Sequence, residues 1–286
     1  MSVLNQGNIV EWIFETKSIN VCREDTPFWY ASGTIGPYFI NTHFLYGSEK
    51  KANLFLDLIE EKLRDRFNLA EDLFEKALEN YRFNMIYKGV IDMMCEFLLE
   101  HVDIDRIDAI SGGERRDWFF SILLSIFLKK PHVTIFKDVE IIISKNGKTV
   151  ERDSSNPLQN MNILHIADLI NKASSFEKLW IPSIEKNGGK ITETFAVIDR
   201  KQGGKEALEH YGSNLNTLFS IESDFFVDAN KKGLIDSKQL KLVLEYLDDP
   251  NMWAKRFIEK NPKFLENSLK AGGKTQERAN LWINDN

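Results

Sequence analysis

The sequence predicts an α/β protein: a central, mostly parallel sheet flanked by helices, with a helical and hood-like segment before it and a helical extension after it. Three observations carry this prediction. From about residue 105 to 222, short apolar runs alternate with amphipathic stretches, the sequence form of repeated βα units. Before that region, apolar residues recur three or four apart over 3–14, 49–66, 70–83 and 87–101, which predicts helices. After residue 222 helical periodicity continues to the end with no strand pattern. Read along the chain, this gives segments 1–104, 105–222 and 223–286.

The elements follow in order. The first helical region is interrupted by TPFWYASGTIGPYFINTHF, where Pro, Gly and aromatic residues cluster as in an extended or turn-rich segment. Strands are predicted at 107–111, 133–136, 163–167, 191–198 and 215–219. Between the second and third, EIIISKNGKTVER reads as two extended arms around Asn146-Gly147, a dipeptide suited to a type I′ turn. The polar DSSNP follows it. The greasy run WFFSILLSIFL, starting at Trp118, is shorter than the roughly 20 residues of a membrane span and reads as a buried core helix.

Composition narrows the function classes. A 43% hydrophobic content in 286 residues supports a real core. The formal net charge of −6 argues against broad binding to a phosphate backbone, so nucleic acid is not expected as a partner, nor is a membrane. Cys22 and Cys95 stand in unrelated contexts, which supports neither a disulfide framework nor a thiolate metal site. Glu11 and Glu15 flank the first apolar residues, unlike a secretory leader. A reducing, cytoplasmic setting is the expectation.

Two loops have the form that binds anions in parallel sheets, where strand C-termini face the ligand crevice and helix starts present free N–H groups. The first is AISGGERRDWFF: Gly112 and Gly113 allow close backbone approach, Arg115 and Arg116 could neutralise a polyphosphate, and Asp117 suits an N-cap. A plain turn is the alternative. The second is NILHIADLINKASSF, in which a strand delivers Asp168 and the loop NKASS leads into a helix near Ser174. Either Ser174 or Ser175 caps that helix, or their hydroxyls and the loop N–H groups hold a phosphate while Asp168 accepts hydrogen bonds from sugar hydroxyls.

Together with FAVIDRKQGGKEAL further on, these loops resemble the type I phosphoribosyltransferases, in particular the orotate phosphoribosyltransferase branch. The motif of that family for phosphoribosyl pyrophosphate (PRPP) reads here Ile163-Leu164-His165-Ile166, Ala167-Asp168, Leu169-Ile170, Asn171-Lys172-Ala173-Ser174-Ser175. ASGTIGPYFINTHF resembles the N-terminal base-contacting segment, and VIDRKQGGKEALEHYGSNLNTLFSI the closing Asp-Arg-x-x-Gly-Gly segment. The resemblance runs over residues 27 to 226. Ala167 stands where the first acid of the pair is expected, Gly36 and Asn41 replace a Ser and an Asp, and Asn171 and Ala173 dilute the phosphate turn. One lost charge-assisted contact would cost about 1.5–3 kcal/mol, or one to two decades of affinity.

The resemblance implies a transfer of ribose 5-phosphate from magnesium-bound PRPP to a pyrimidine-like or related heterocyclic acceptor, with release of pyrophosphate, in a homodimer with shared active sites. It implies Asp168 at the ribose; Asn171, Lys172, Ala173, Ser174 and Ser175 at the 5′-phosphate; Gly112, Gly113 and Arg115 at pyrophosphate; and Arg200 at the acceptor, with Phe28 and Trp29 as base-stacking rings. A cationic lid is drawn from Lys137, Lys145, Lys148 and Arg152, with Lys145 and Lys148 foremost. No side-chain ligand for magnesium is assigned. The alternative is a catalytically silent, PRPP- or nucleotide-binding regulatory or interaction protein on the same fold. Two other signals are set aside. DANKKGLIDSKQ imitates a calcium loop but places Lys232 and Gln239 at ligand positions, so it reads as a helix–turn–helix joint. His165, within an apolar strand, reads as a hydrogen-bonded core residue.

Overall fold

The computed structural model describes residues 3–150 and 156–285, so Arg152 of the proposed lid lies outside the described residues. In chain order the elements are α1 (Val3–Glu15), β1 (Ile19–Val21), β2 (Phe28–Trp29), β3 (Ile35–Gly36), β4 (Tyr38–Ile40), α2 (Glu49–Lys62), α3 (Arg66–Phe83), α4 (Met85–His101) and β5 (Ala109–Gly113). Then come α5 (Trp118–Phe127), β6 (His132–Ile135), β7 (Ile141–Lys145), β8 (Lys148–Thr149), β9 (Asn162–Ile170), α6 (Ile181–Lys186), β10 (Lys190–Asp199), α7 (Gly204–His210) and β11 (Asn214–Ser220). Five helices finish the chain: α8 (Ser223–Lys231), α9 (Ser237–Asp248), α10 (Pro250–Lys260), α11 (Pro262–Lys270) and α12 (Gly273–Asp285).

Contacts group these elements into two compact units, Met1–Thr16 with Thr42–Ile221, and Lys17–Asn41 with Glu222–Asn286. The predicted α/β class holds in the first. Its seven-stranded sheet has the order β11-β10-β9-β5-β6-β7-β8, parallel from β11 to β6 and antiparallel at the β7–β8 edge. The edge hairpin turns at Asn146 (φ 53°) and Gly147 (φ 80°), the two positive dihedrals that a type I′ turn requires. The central strands β5, β6, β9 and β10 are largely buried on both faces, as parallel strands covered by helices must be, while β11 and the β7–β8 edge are more exposed. Trp180, Ile181, Ile184 and Leu208 cover Val133, Ile163 and Ala167. Elsewhere in the unit, Tyr46, Phe55 and Phe119 form an aromatic cluster with centroids 4.7–5.2 Å apart.

Local chemistry explains where elements depart from the predicted bounds. The run predicted as one helix over 49–66 stops at Lys62, because Asp65 accepts from the Asn68 N–H at 3.4 Å and starts α3. β9 continues past Asp168 to Ile170, held by its pairing of Ile170 with Asp199 in β10, so Asp168 lies inside the strand rather than beyond its end. The helix expected near Ser174 does start there, with Ser174 and Ser175 helical, and then widens into a π-helical turn at Phe176–Trp180 before α6.

In the second unit, β1 pairs with β4 and β2 with β3, and the aromatic residues of this segment pack on α9 and α11. Trp29 donates its indole N–H to Ser268 at 2.9 Å and stacks on Phe264 with centroids 5.7 Å apart. Tyr38 packs edge-on against Tyr246 at 5.7 Å. The joint at Gly233 (φ 71°) leads into α9, where Asp236 and Gln239 form a reciprocal capping box.

Candidate active site

β5 and β9 are neighbours, yet their onward connections diverge: α5 carries the chain from β5 out to β6, and α6 carries it from β9 to β10 on the other side. This is a topological switch point, and in open parallel sheets the crevice beyond the strand ends at such a point is where ligands bind. A polar cavity of about 310 Å³ lies there, lined by Glu114 to Asp117, Lys137, Ala167 to Phe176 and Trp180. Thus Arg115, Asp168, Asn171, Lys172, Ala173, Ser174 and Ser175, distant in sequence, share one cavity.

Charge in the lining is nearly balanced. Arg115, Arg116, Lys137 and Lys172 face Glu114, Asp117 and Asp168. Arg115 is paired with Glu60 of α2, and Lys137 stands 3.5 Å from Glu114. Ser175 makes no side-chain cap hydrogen bond to the following turn, so the bland capping role is not the one it fills. Ala173 adopts φ 55°, a left-handed conformation that lets the loop double back before Phe176. Gly204 supports the loop from below: a Cβ there would come within 2.7 Å of the Asn171 carbonyl oxygen.

Asp168 is only partly exposed, and its carboxyl pKa is pushed up to about 7, first by burial and then by the negative charge of Asp117, against an opposing pull from Arg116. Asp117 is the residue the sequence reading underrated. Although it precedes α5, it makes no cap hydrogen bond. Its two oxygens instead accept from the Gly113 N–H and the Asp168 N–H, each at 2.9 Å. The spacing of four residues between Gly113 and Asp117 was visible in the sequence, but the second partner, 51 residues away, was not.

Gly112 and Gly113 do not form the positive-φ turn expected: both are buried, extended residues of β5, and neither is among the residues lining the cavity. Their missing side chains serve packing. A Cβ on Gly112 would sit 2.2 Å from the Ser121 hydroxyl of α5, and one on Gly113 would sit 2.3 Å from the Trp180 ring. Lys145 and Lys148 are exposed on the β7–β8 hairpin and are not brought into the cavity; Lys148 stands 3.9 Å from Glu71. Lys137 is the member of the proposed lid that does line it. Arg200 follows β10 and donates its backbone N–H to Ile170 at 3.0 Å, without lining the cavity. Phe28 and Trp29 belong to the second compact unit, where Trp29 is 8% exposed and its ring is engaged by Phe264. Gly36 is explained there too: a Cβ would collide with the Tyr30 hydroxyl at 2.3 Å. His165 is the buried, hydrogen-bonded core residue expected, its Nδ1 lying 2.9 Å from the Ser111 hydroxyl.

No protein-family model matches the chain. Among curated proteins, it is similar to the orotate phosphoribosyltransferase of Saccharolobus solfataricus, 29% identical over 107 residues, covering 37% of this chain and 54% of that one. The match therefore spans only about half of that relative's length. A longer alignment, to the orotate phosphoribosyltransferase of Rhizobium johnstonii, is 26% identical over 195 residues and covers 66% of this chain and 79% of the relative. Among solved structures, orotate phosphoribosyltransferase from Aeropyrum pernix superposes with a TM-score of 0.50 at 15% identity, over 80% of this chain and 99% of that one, which speaks for the fold. The ordered motifs and the aligned relatives make this chain similar to the type I phosphoribosyltransferases, the orotate phosphoribosyltransferases among them, and the shared sheet shows the fold.

Proposed function

We propose that this protein is a phosphoribosyltransferase of the orotate type, moving ribose 5-phosphate from PRPP to a ring nitrogen of a pyrimidine-like or related acceptor and releasing pyrophosphate. The observation that carries this reading is the joining of the Glu114–Asp117 and Asp168–Ser175 loops around one cavity. Lys172 to Ser175 cradle the 5′-phosphate with backbone N–H groups and hydroxyls, and Asp168 accepts from the ribose hydroxyls. Arg115, Arg116 and Lys137 face the diphosphate and stabilise the charge that builds on it as its bond to C1 breaks. Magnesium would enter together with PRPP and help to neutralise its diphosphate. The acceptor roles of Arg200, Phe28 and Trp29, the lid roles of Lys145 and Lys148, a homodimer with shared sites and a cytoplasmic location belong to the same proposal.

A second reading, a silent PRPP- or nucleotide-binding regulator, is favoured by Ala167 and by the position of Lys145 and Lys148 outside the cavity. One assay separates the two. Purified protein is incubated with magnesium–PRPP and a panel of nucleobases while pyrophosphate release is followed. Release with one base establishes the enzyme and its acceptor; PRPP binding without release for any base establishes the regulator; neither binding nor release rejects both.

A further inference from the structure

Lys137, which lines the cavity, sits in the turn 136–140 between β6 and β7. That turn is not relaxed. Val139 adopts φ 64°, a left-handed conformation that is costly for a β-branched residue and persists only where the surroundings enforce it. Inside the turn, the Val139 N–H donates to the Phe136 carbonyl and the Phe136 N–H to the Glu140 carbonyl, each at 3.0 Å. From α6, the Ser183 hydroxyl donates to the Val139 carbonyl at 2.7 Å. A further hold comes from Arg66, the first residue of α3.

Arg66 grips the two residues that flank Lys137. Its guanidinium donates two hydrogen bonds to the Asp138 carboxylate, at 3.2 and 2.7 Å, and its central carbon lies 4.1 Å from the centroid of the Phe136 ring. Phe136 is fully buried and packs edge-on against Trp118 of α5. Asp138 passes the grip to the backbone, its Oδ1 accepting from the Glu140 N–H at 3.3 Å. An ordinary exposed ion pair contributes little, but a planar fork fixed by a carboxylate and an aromatic face together has one orientation, which lysine does not reproduce. Lys137 itself is met by Glu114, whose Oε2 accepts from the Lys137 N–H at 3.2 Å and whose Oε1 lies 3.5 Å from its Nζ.

We propose that Arg66 is a positioning residue: by gripping Phe136 and Asp138 on either side of Lys137, it holds the strained turn that presents Lys137 to the cavity, and so sets how strongly the cavity takes a diphosphate. The diphosphate side rests on the function proposed above; the grip on the turn does not.

The test begins without ligand. Amide hydrogen exchange of the segment 136–140 is followed by mass spectrometry in the full chain, as wild type, Arg66→Gln, Arg66→Lys and Asp138→Asn. Exchange is expected to quicken about ten-fold in all three variants, because the turn opens locally. Calorimetry with inorganic pyrophosphate follows. Arg66→Gln should weaken binding about three- to ten-fold alone, but less than about two-fold when Lys137→Ala is already present, since its effect passes through Lys137. Two variants separate positioning from plain charge. Arg66→Lys keeps the charge, and Asp138→Asn removes a negative one; charge alone predicts unchanged binding for the first and tighter binding for the second, whereas a lost grip weakens both.

Exchange unmoved in Arg66→Gln, an equal loss of affinity with and without Lys137→Ala, or tighter binding by Asp138→Asn overturns the proposal. Should Arg66→Gln not fold, Arg66→Lys and Asp138→Asn carry the same test. A wild type that binds no pyrophosphate, with exchange faster in the variants, upholds the grip and removes the phosphoribosyltransferase reading. Pyrophosphate binding with exchange and affinity unmoved in Arg66→Gln removes this inference alone.

Discussion

Asp168 and Gly113 show how single residues carry opposite costs. The carboxyl of Asp168 is harder to ionise in the folded chain than in the unfolded one, so between about pH 4 and about 7 the folded state holds the extra proton. Stability should therefore fall as pH rises through that window and level off above it. Asp168→Asn removes this slope, and denaturant melts at pH 5 and pH 8 should differ by on the order of 2 kcal/mol less in the variant, allowing for partial exposure. The same substitution should weaken PRPP binding by one to two decades at pH 8, measured by calorimetry. For Gly113 the cost is steric. Gly113→Ala drives a methyl into the Trp180 ring, a contact of 2.3 Å that must be relieved by moving a cavity wall. A loss of about 1–3 kcal/mol in thermal or chemical melts is expected, with Trp180→Leu in the same chain recovering part of it.

At the scale of elements, strand ends and turns decide which cations reach the cavity. Lys137 follows β6 and lines it, whereas Lys148 sits across the hairpin turn on β8 and reaches toward Glu71. If the proposed transfer takes place, steady-state kinetics should show Lys137→Ala lowering kcat about ten-fold or more, because it removes positive charge that faces the departing diphosphate. The C-terminal helices offer a purely structural counterpart. Asp236 accepts from the N–H groups of Lys238 and Gln239 at 2.8 Å, and the Gln239 Oε1 in turn accepts from the Asp236 N–H at 3.1 Å. Asp236→Ala should cost about 1 kcal/mol, read from urea melts.

For the whole molecule, the decisive feature is that one compact unit is built from two distant parts of the chain, Lys17–Asn41 and Glu222–Asn286. The aromatic residues of the first part are packed against helices of the second. Trp29 and Tyr38 are buried by residues from the C-terminal helices: Ser268 and Phe264 engage the indole, Arg278 donates to the Trp29 carbonyl at 2.9 Å, and Phe226 and Tyr246 pack on Tyr38. A chain ended after Ile221 should leave these rings in water. Limited chymotrypsin digestion should then cut rapidly at Trp29 and Tyr38, which the intact chain buries, and the truncated protein should aggregate at concentrations where the full chain does not.

Periodicity along the chain was enough to place the parallel sheet, the hairpin at Asn146-Gly147 and the run of C-terminal helices, because strand and helix repeats are written in neighbouring residues. The same local record made Asp168 and the Asn171–Ser175 loop stand out, since a strand, an acid and a hydroxyl-rich turn follow one another without interruption. Packing alone could assign Gly112 and Gly113 to close contacts with Ser121 and Trp180, remove Lys145 and Lys148 from the cavity, and turn Asp117 from a helix cap into a tie between two strands. Those assignments depend on partners brought near only when βα units stack side by side, and a carboxylate has no preference among N–H donors until the fold sets which of them it can reach.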